Sequence, residues 1–184
     1  MRRLLVVLAV LLCSAILNAQ ENPKYELFAG YSLQHNNGLN ASGWEASGAY
    51  NFNRWIGMKL DVDGHYGSAS NIDFSHSIQW HTATIGPQFS WRLKRGTLFA
   101  HTLFGISHEH QHERFLAPFP VPFPTDFEAA RNSFATVLGG GGDWNLGKRF
   151  AWRGQLDYTQ SAFFTVRENH LRFSTGPVFR FGKR

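Results

Sequence analysis

From Tyr25 to Phe181 the chain repeats one pattern eight times: about ten residues in which apolar and polar side chains alternate, closed by Gly, Asn, Pro or a basic pair. Alternation with period two puts one chemistry on each face of an extended strand, whereas a helix would scatter these residues around its axis. In the first segment Tyr25, Leu27, Ala29, Tyr31 and Leu33 share a face, opposite Glu26, Phe28, Gly30, Ser32 and Gln34. The second sets Trp44, Ala46, Gly48, Tyr50 and Phe52 against Glu45, Ser47, Ala49 and Asn51, and the third sets Ile56, Met58, Leu60 and Val62 against Gly57, Lys59, Asp61 and Asp63. The seventh, from Phe150 to Thr159, and the eighth, from Leu171 to Phe181, alternate as cleanly.

Two segments are less regular. The fourth, about His76 to Trp91, has Ala83, Ile85, Pro87, Phe89 and Trp91 on one face, but its first half fits the opposite parity, which predicts a bulge or a register change. The fifth, Thr97 to about His110, is apolar on both faces and leaves its orientation open. The sixth, Asn132 to Leu146, carries the glycine run Gly139 to Gly142, which lacks the Lys-Ser/Thr ending of a phosphate loop and is expected to bend the strand or allow close packing.

The links alternate in length. Those at 35–41, 67–75, 112–131 and around 164–168 are expected to be long, and those at Asn53-Arg54, Arg92–Gly96 and Gly147–Arg149 short. Short turns at one end and long loops at the other, with an even strand count, describe a barrel threaded through a membrane from one side. Hydrocarbon offers backbone N–H and C=O groups no partner, so a sheet in lipid must close on itself. Aromatic residues at the short-turn end, Tyr25, Phe52, Trp55, Trp91, Phe150 and Phe181, suit a membrane interface. The expected fold is all-β: a closed eight-stranded antiparallel up-and-down transmembrane β-barrel. A soluble lipocalin-like barrel is the competitor, and it would be apolar inside and polar outside.

The N-terminus supports export. Met1-Arg2-Arg3, the apolar stretch Leu4 to Leu12 and the small-residue end at Ala19 read as a secretory signal over 1–19, too short to span a bilayer as a helix, with the barrel domain over 20–184. Cys13 falls inside that signal, so no disulfide is expected to hold the mature fold. Without Arg2 and Arg3 the basic residues fall from 18 to 16 against 13 acidic ones, scattered over strands and turns, which argues against a nucleic-acid partner.

At this stage the chain resembles the eight-stranded outer-membrane β-barrel proteins, the group of opacity-type and OmpA/OmpX-like barrel domains. The closing segment Leu171-Arg172-Phe173-Ser174-Thr175-Gly176-Pro177-Val178-Phe179-Arg180-Phe181 and the similar Thr84-Ile85-Gly86-Pro87-Gln88-Phe89 carry the likeness. It implies an integral protein of the bacterial outer membrane, in contact with membrane lipid and lipopolysaccharide. A last strand ending in phenylalanine resembles the signal read by the barrel assembly machinery, although Gly182-Lys183-Arg184 follow it here.

Three constellations are candidates for function. Glu45, Lys59, Asp61, Asp63, Arg153, Asp157, Arg172 and Arg180 fall on the polar faces and are expected to form a charge network in the lumen, either a salt-bridged plug or the lining of a narrow pore. The loop over 112–131, with Phe115, Phe119, Phe123 and Phe127 among alternating prolines, is expected to be stiff and to seek an apolar surface: its own rim, lipopolysaccharide or a protein or host-surface partner. His108, His110 and His112 alternate and would share a face if extended, a candidate for Zn²⁺ or Cu²⁺ with Asp63, Glu109 or Glu113 as carboxylate help. Seven of the nine histidines map to the long-loop end, leaving out His81 and His101. No resident cofactor is expected. A lipid-modifying enzyme would need Ser and His together on one face, but Ser107-His108 and Ser75-His76 are neighbours that point opposite ways. The expected function is that of a small, largely plugged outer-membrane barrel acting as a structural or surface-interaction protein through its outer loops. The alternatives are a narrow pore and a lipid-modifying enzyme.

Overall fold

The computed structural model describes residues 23–36, 39–70, 74–115, 126–163 and 166–183. The signal at 1–19 and, in the long loop, Phe119 and Phe123 lie outside them. Eight strands follow in chain order: β1 (Pro23–Asn36), β2 (Leu39–Asn51), β3 (Ile56–Ser70), β4 (Phe74–Arg92), β5 (Gly96–Phe115), β6 (Asp126–Asn145), β7 (Phe150–Phe163) and β8 (Val166–Lys183). Each pairs antiparallel with the next, and β8 returns to β1 from Tyr25↔Phe181 to His35↔Leu171, closing the barrel. Closure leaves no sheet edge, the condition for a sheet to sit in hydrocarbon.

The chemistry is inverted relative to a soluble barrel. Leu60, Ile85, Ile106, Leu138 and Leu156 point outward with 52–67% of their surface exposed, while Lys59, Asp61, Asp157, Arg153 and Arg172 are buried inside at 0–1%. That arrangement removes the lipocalin-like alternative. The outward apolar positions form a belt that ends sharply: above Leu33, Ala83, Ile106, Phe134, Tyr158 and Leu171, the next outward residues are His35, His81, His108, Asn132, Gln160 and Asn169. Tyr31, Trp44, Tyr66 and Tyr158 stand near this outer boundary, and the predicted aromatics, joined by Trp144 and Trp152, ring the short-turn end. Within the belt each strand contributes roughly ten residues, the length a tilted strand needs to cross the hydrocarbon.

Several expectations are corrected. Strand β4 has no bulge: its register with β3 runs unbroken from Ile56↔Phe89 to Ser70↔Ser75. Ile78 and Trp80 keep the inward parity and pack with Ala41 inside the upper barrel, so the change in pattern reflects an apolar patch in the lumen, not a shift of the backbone. The open orientation of β5 is settled by Phe99, His101, Leu103, Ser107 and Glu109 facing in, and Leu98, Phe104, Ile106 and His108 facing out. It is two-faced because Phe99 and Leu103 fill the lumen.

The loop expected at 67–75 is largely strand, and so are the described ends of the one expected at 112–131. β3 continues to Ser70 and β4 starts at Phe74, while β5 reaches Phe115 and β6 starts at Asp126, which places Phe115 and Phe127 on paired strands. The first link shrinks likewise, with β1 ending at Asn36 and β2 starting at Leu39. Backbone pairing does not need an apolar face, so a ladder continues into water after the alternation has faded. The barrel is therefore lopsided: β4, β5 and β6 are 19 or 20 residues long against 13 for β2, and they raise a polar wall above the belt. His81 lies opposite His108 on that wall, so it belongs with the outer-end histidines after all. The glycine run leaves the pairing of β6 with β5 continuous, and it serves close packing: Gly139 is at an inward position, where a side chain would run into the Asp157 carboxylate.

Candidate functional site

All eight predicted lumen charges are inside the barrel, but they divide into two clusters. The central one is built on Arg172 of β8. The register sets Asp157 of β7 beside it, and barrel closure brings Glu45 of β2 and Asp61 and Asp63 of β3 across from the far wall. Arg172 Nη2 donates to Asp157 Oδ2 at 2.6 Å and to Asp61 Oδ1 at 3.1 Å, its Nη1 donates to Asp63, and its Nε lies 3.7 Å from Glu45 Oε2. Lys59 Nζ is 3.1 Å from Asp61 and 3.5 Å from Glu45. Gln155 ties the two sides together, donating to Glu45 at 2.6 Å and to Asp157 at 2.9 Å. Four carboxylates thus face two permanent cations. His65, 3.1 Å from Asp63, and His101, 3.1 Å from Asp157, stand against the excess negative charge.

The second cluster lies toward the short-turn end. Arg153 grips Asp143 with two donors, Nε at 2.7 Å and Nη2 at 2.9 Å, the bidentate geometry its planar guanidinium favours. Its Nη2 also reaches Glu26 at 3.1 Å, and the guanidinium lies over the Phe99 ring at 4.2 Å. Arg180 donates to Asp143 at 2.6 Å, Arg92 to Glu26 at 3.1 Å, and Asn51 to Glu26 at 3.0 Å. Arg153 and Arg180 therefore do not join Arg172; they balance Glu26 and Asp143. The sequence reading missed Glu26, Arg92, Asp143, His65, His101 and Gln155 as network members. For Glu26 and Asp143 the signal was present, since both sit at inward positions of their strands.

Together the clusters obstruct the lumen. Arg153, Arg172, Lys59, Gln88, Gln155, Glu26 and Glu45 are among the largest fully buried side chains. A desolvated charge is tolerated only when its partners are in place, so the network is held as a unit and fills the space that eight strands enclose.

The outer wall carries the second candidate. His108, His110 and His112 do share the outward face of β5, as their alternation requires. His108 Nδ1 lies 2.7 Å from Asn132 Oδ1, and His110 Nε2 lies 3.0 Å from Glu128 Oε1. Among the described residues no three His, Cys, Asp or Glu side chains converge as a metal site would need. Asp63 and Glu109, the expected carboxylate helpers, are turned into the lumen instead. Ser107 is likewise buried inside while His108 is exposed outside, so this pair does not meet. Phe127 on β6 is 51% exposed, and Phe115 pairs in register with Phe74 at the top of β4.

No family model and no curated protein matches the sequence. Solved structures do match the fold. Ail, the attachment invasion locus protein of Yersinia pestis, superposes with a TM-score of 0.56 at 16% identity, covering 88% of this chain and 100% of that one. The outer membrane protein OprG from Pseudomonas aeruginosa gives 0.56 at 11% identity, covering 89% and 98%. Neisserial surface protein A gives 0.54 at 11%, covering 85% and 96%. One Ail structure holds the heparin analogue sucrose octasulfate.

The protein thus has the fold of the small eight-stranded outer-membrane β-barrels. With its apolar belt turned to lipid it is an integral outer-membrane protein, and within that class its lumen is closed by two buried ionic clusters.

Proposed function

We propose that this barrel is a surface-presenting protein: a plugged, membrane-anchored support for the raised β4–β6 wall and the loop that joins β5 to β6. The observation that carries this is the lumen itself, where Arg172 and Arg153 each bind several carboxylates out of contact with water. A conduit would have to break these contacts at every opening, whereas a rigid support benefits from them. The wall above the belt offers His81, His108, His110, Asn132 and Glu128 outward, and Phe127 stands exposed on the opposite face of β6 near its top, a mixture suited to a polar surface with an apolar foothold at its upper edge. The segment that joins β5 to β6 adds Phe119 and Phe123 among alternating prolines in its sequence. Lipopolysaccharide headgroups or a host-surface molecule are the partner classes such a wall fits, and the sulfated ligand of Ail shows that another barrel of this fold takes a polyanion. The signal at 1–19 and the Phe179 and Phe181 pair on the last strand supply the export and assembly steps.

Planar-bilayer recording tests the plug. The pure protein should give no discrete conductance steps, and Asp61→Asn or Arg153→Gln, which unbalance the network, should be the variants that begin to leak. Reproducible steps from the unaltered protein, changed by either substitution, would establish a pore instead. Unchanged lipid A after expression in an outer-membrane host is expected, and altered acylation would establish an enzyme. Removing 116–125 should abolish binding to lipopolysaccharide or to cell surfaces without affecting insertion; undiminished binding would refute the role of the loop.

A further inference from the structure

The short-turn end of the barrel has a charge asymmetry that the plug and the wall do not use. Lys24, Arg54, Lys94, Arg95, Lys148 and Arg149 lie there around the rim, five of them exposed and Lys24 partly so. Among the described residues the acidic groups of this end, Glu26 and Asp143, are turned inward and held by Arg92, Arg153 and Arg180. The rim is therefore a ring of cations at the depth where the aromatic girdle marks the lipid headgroups.

Beside Arg95 small residues lie just inside the girdle. Leu98, Gly142 and Gly154 lie abreast on β5, β6 and β7, and Trp144 and Trp152 are paired one step nearer the rim. Together with Arg95 they line an outward-facing trough of about 480 Å³. Neither glycine is demanded by packing within the protein: a side chain at Gly154 would meet nothing within 4 Å, and one at Gly142 would make only ordinary contacts, with Leu98 at 3.6 Å and the Thr97 carbonyl at 4.0 Å. Glycine weakens a strand and often marks a bulge, a bend or a close approach by something else; the pairing through both positions is continuous, so no bulge accounts for them. Here the approaching body must come from the lipid side, with an apolar part for the trough and an anionic part for the rim.

We propose that this trough is a binding site for an anionic glycerophospholipid of the leaflet at the short-turn end, the periplasmic side in outer-membrane barrels, with one acyl chain lying over Gly142 and Gly154 and the phosphate held at Arg95. Asp143, which borders the trough, directs its carboxylate into the lumen and offers the phosphate no repulsion from the surface. The tryptophan pair at the rim brackets the glycerol level: both indoles present an apolar face, and with the Trp152 N–H donated to Thr175 Oγ1 at 2.9 Å it is Trp144 that has an N–H to offer. A neutral lipid would fill the trough equally but forgo the cation, so headgroup charge is the discriminating feature.

Native mass spectrometry of the full-length barrel, extracted from vesicles of equal parts phosphatidylglycerol and phosphatidylcholine, tests the site. The barrel should carry over phosphatidylglycerol in preference to phosphatidylcholine. Arg95→Gln should reduce that preference by roughly fivefold, the effect of one cation at an anionic surface, whereas Arg54→Gln, away from the trough, should leave it unchanged. Gly154→Leu should displace both lipids, and Gly154→Ala provides a milder filling if the larger one impairs folding; heat-modifiable gel mobility confirms that each variant is folded. The proposal is overturned if the barrel shows no headgroup preference, if Arg54→Gln and Arg95→Gln weaken it equally, or if filling the trough changes the oligomeric state and leaves the lipid count intact, which would make a second barrel the occupant.

Discussion

Arg172→Met removes the hub of the central cluster while keeping an unbranched side chain in its place. Glu45, Asp61, Asp63 and Asp157 would then face Lys59 as their only permanent cation, with none of the four more than 3% exposed. Removing one partner of a buried ion pair typically costs about 3–5 kcal/mol, because the abandoned charge remains desolvated. Arg172 serves four acids, so the loss should reach the upper part of that range, about 5 kcal/mol. Urea unfolding of the barrel refolded into phospholipid vesicles, followed by tryptophan fluorescence and gel mobility, measures it. The same substitution combined with Asp61→Asn and Asp157→Asn deletes two of the four orphaned charges, leaving Glu45 and Asp63 with Lys59, and should recover much of the stability, since removing both sides of a buried polar contact costs far less than removing one. Arg172→Met within about 1 kcal/mol of the parent, or a triple variant no better than the single one, would refute the claim that charge pairing holds the lumen together.

Two further contrasts follow from the faces of the strands. Gly139→Ala should destabilise the barrel by about 1–3 kcal/mol by driving a methyl group toward the Asp157 carboxylate, as overpacking does, whereas Gly154→Ala should be neutral or mildly stabilising; equal effects in the same urea assay would contradict the assigned packing. Leu138→Arg, in the middle of the lipid-facing belt, should cost about 2–4 kcal/mol, while His108→Arg, above the belt boundary, should change stability by less than about 1 kcal/mol. A large cost at residue 108 would move the membrane boundary outward.

The part of the molecule legible from its residues is the part set by local geometry. Side chains on a strand alternate whatever the strand pairs with, so Leu60 against Asp61, or Leu156 against Asp157, declares at once which face meets lipid and which the lumen. Eight such segments with punctuated ends suffice for a closed barrel, because lipid permits no open edge. Inward parity likewise picked out Arg153, Arg172 and their relatives as lumen charges, and the same parity was available for Glu26 and Asp143.

Tertiary structure decided what alternation does not encode. The division of the charges into an Arg172 cluster and an Arg153 cluster depends on closure: Arg172 and Asp63 are 109 positions apart, and Arg153 and Glu26 are 127 apart, so only the wrapping of the sheet brings them together. The height of the β4–β6 wall was equally hidden, since above the membrane both faces of a strand are polar and the ladder leaves no trace in the pattern. For Ile78 and Trp80 the hydrophobic signal pointed the wrong way, because the upper lumen is itself apolar beside Ala41. Hydrophobicity reports that a side chain avoids water; in a barrel lying between lipid and a packed interior, it is the register of the neighbouring strands that determines which of the two receives it.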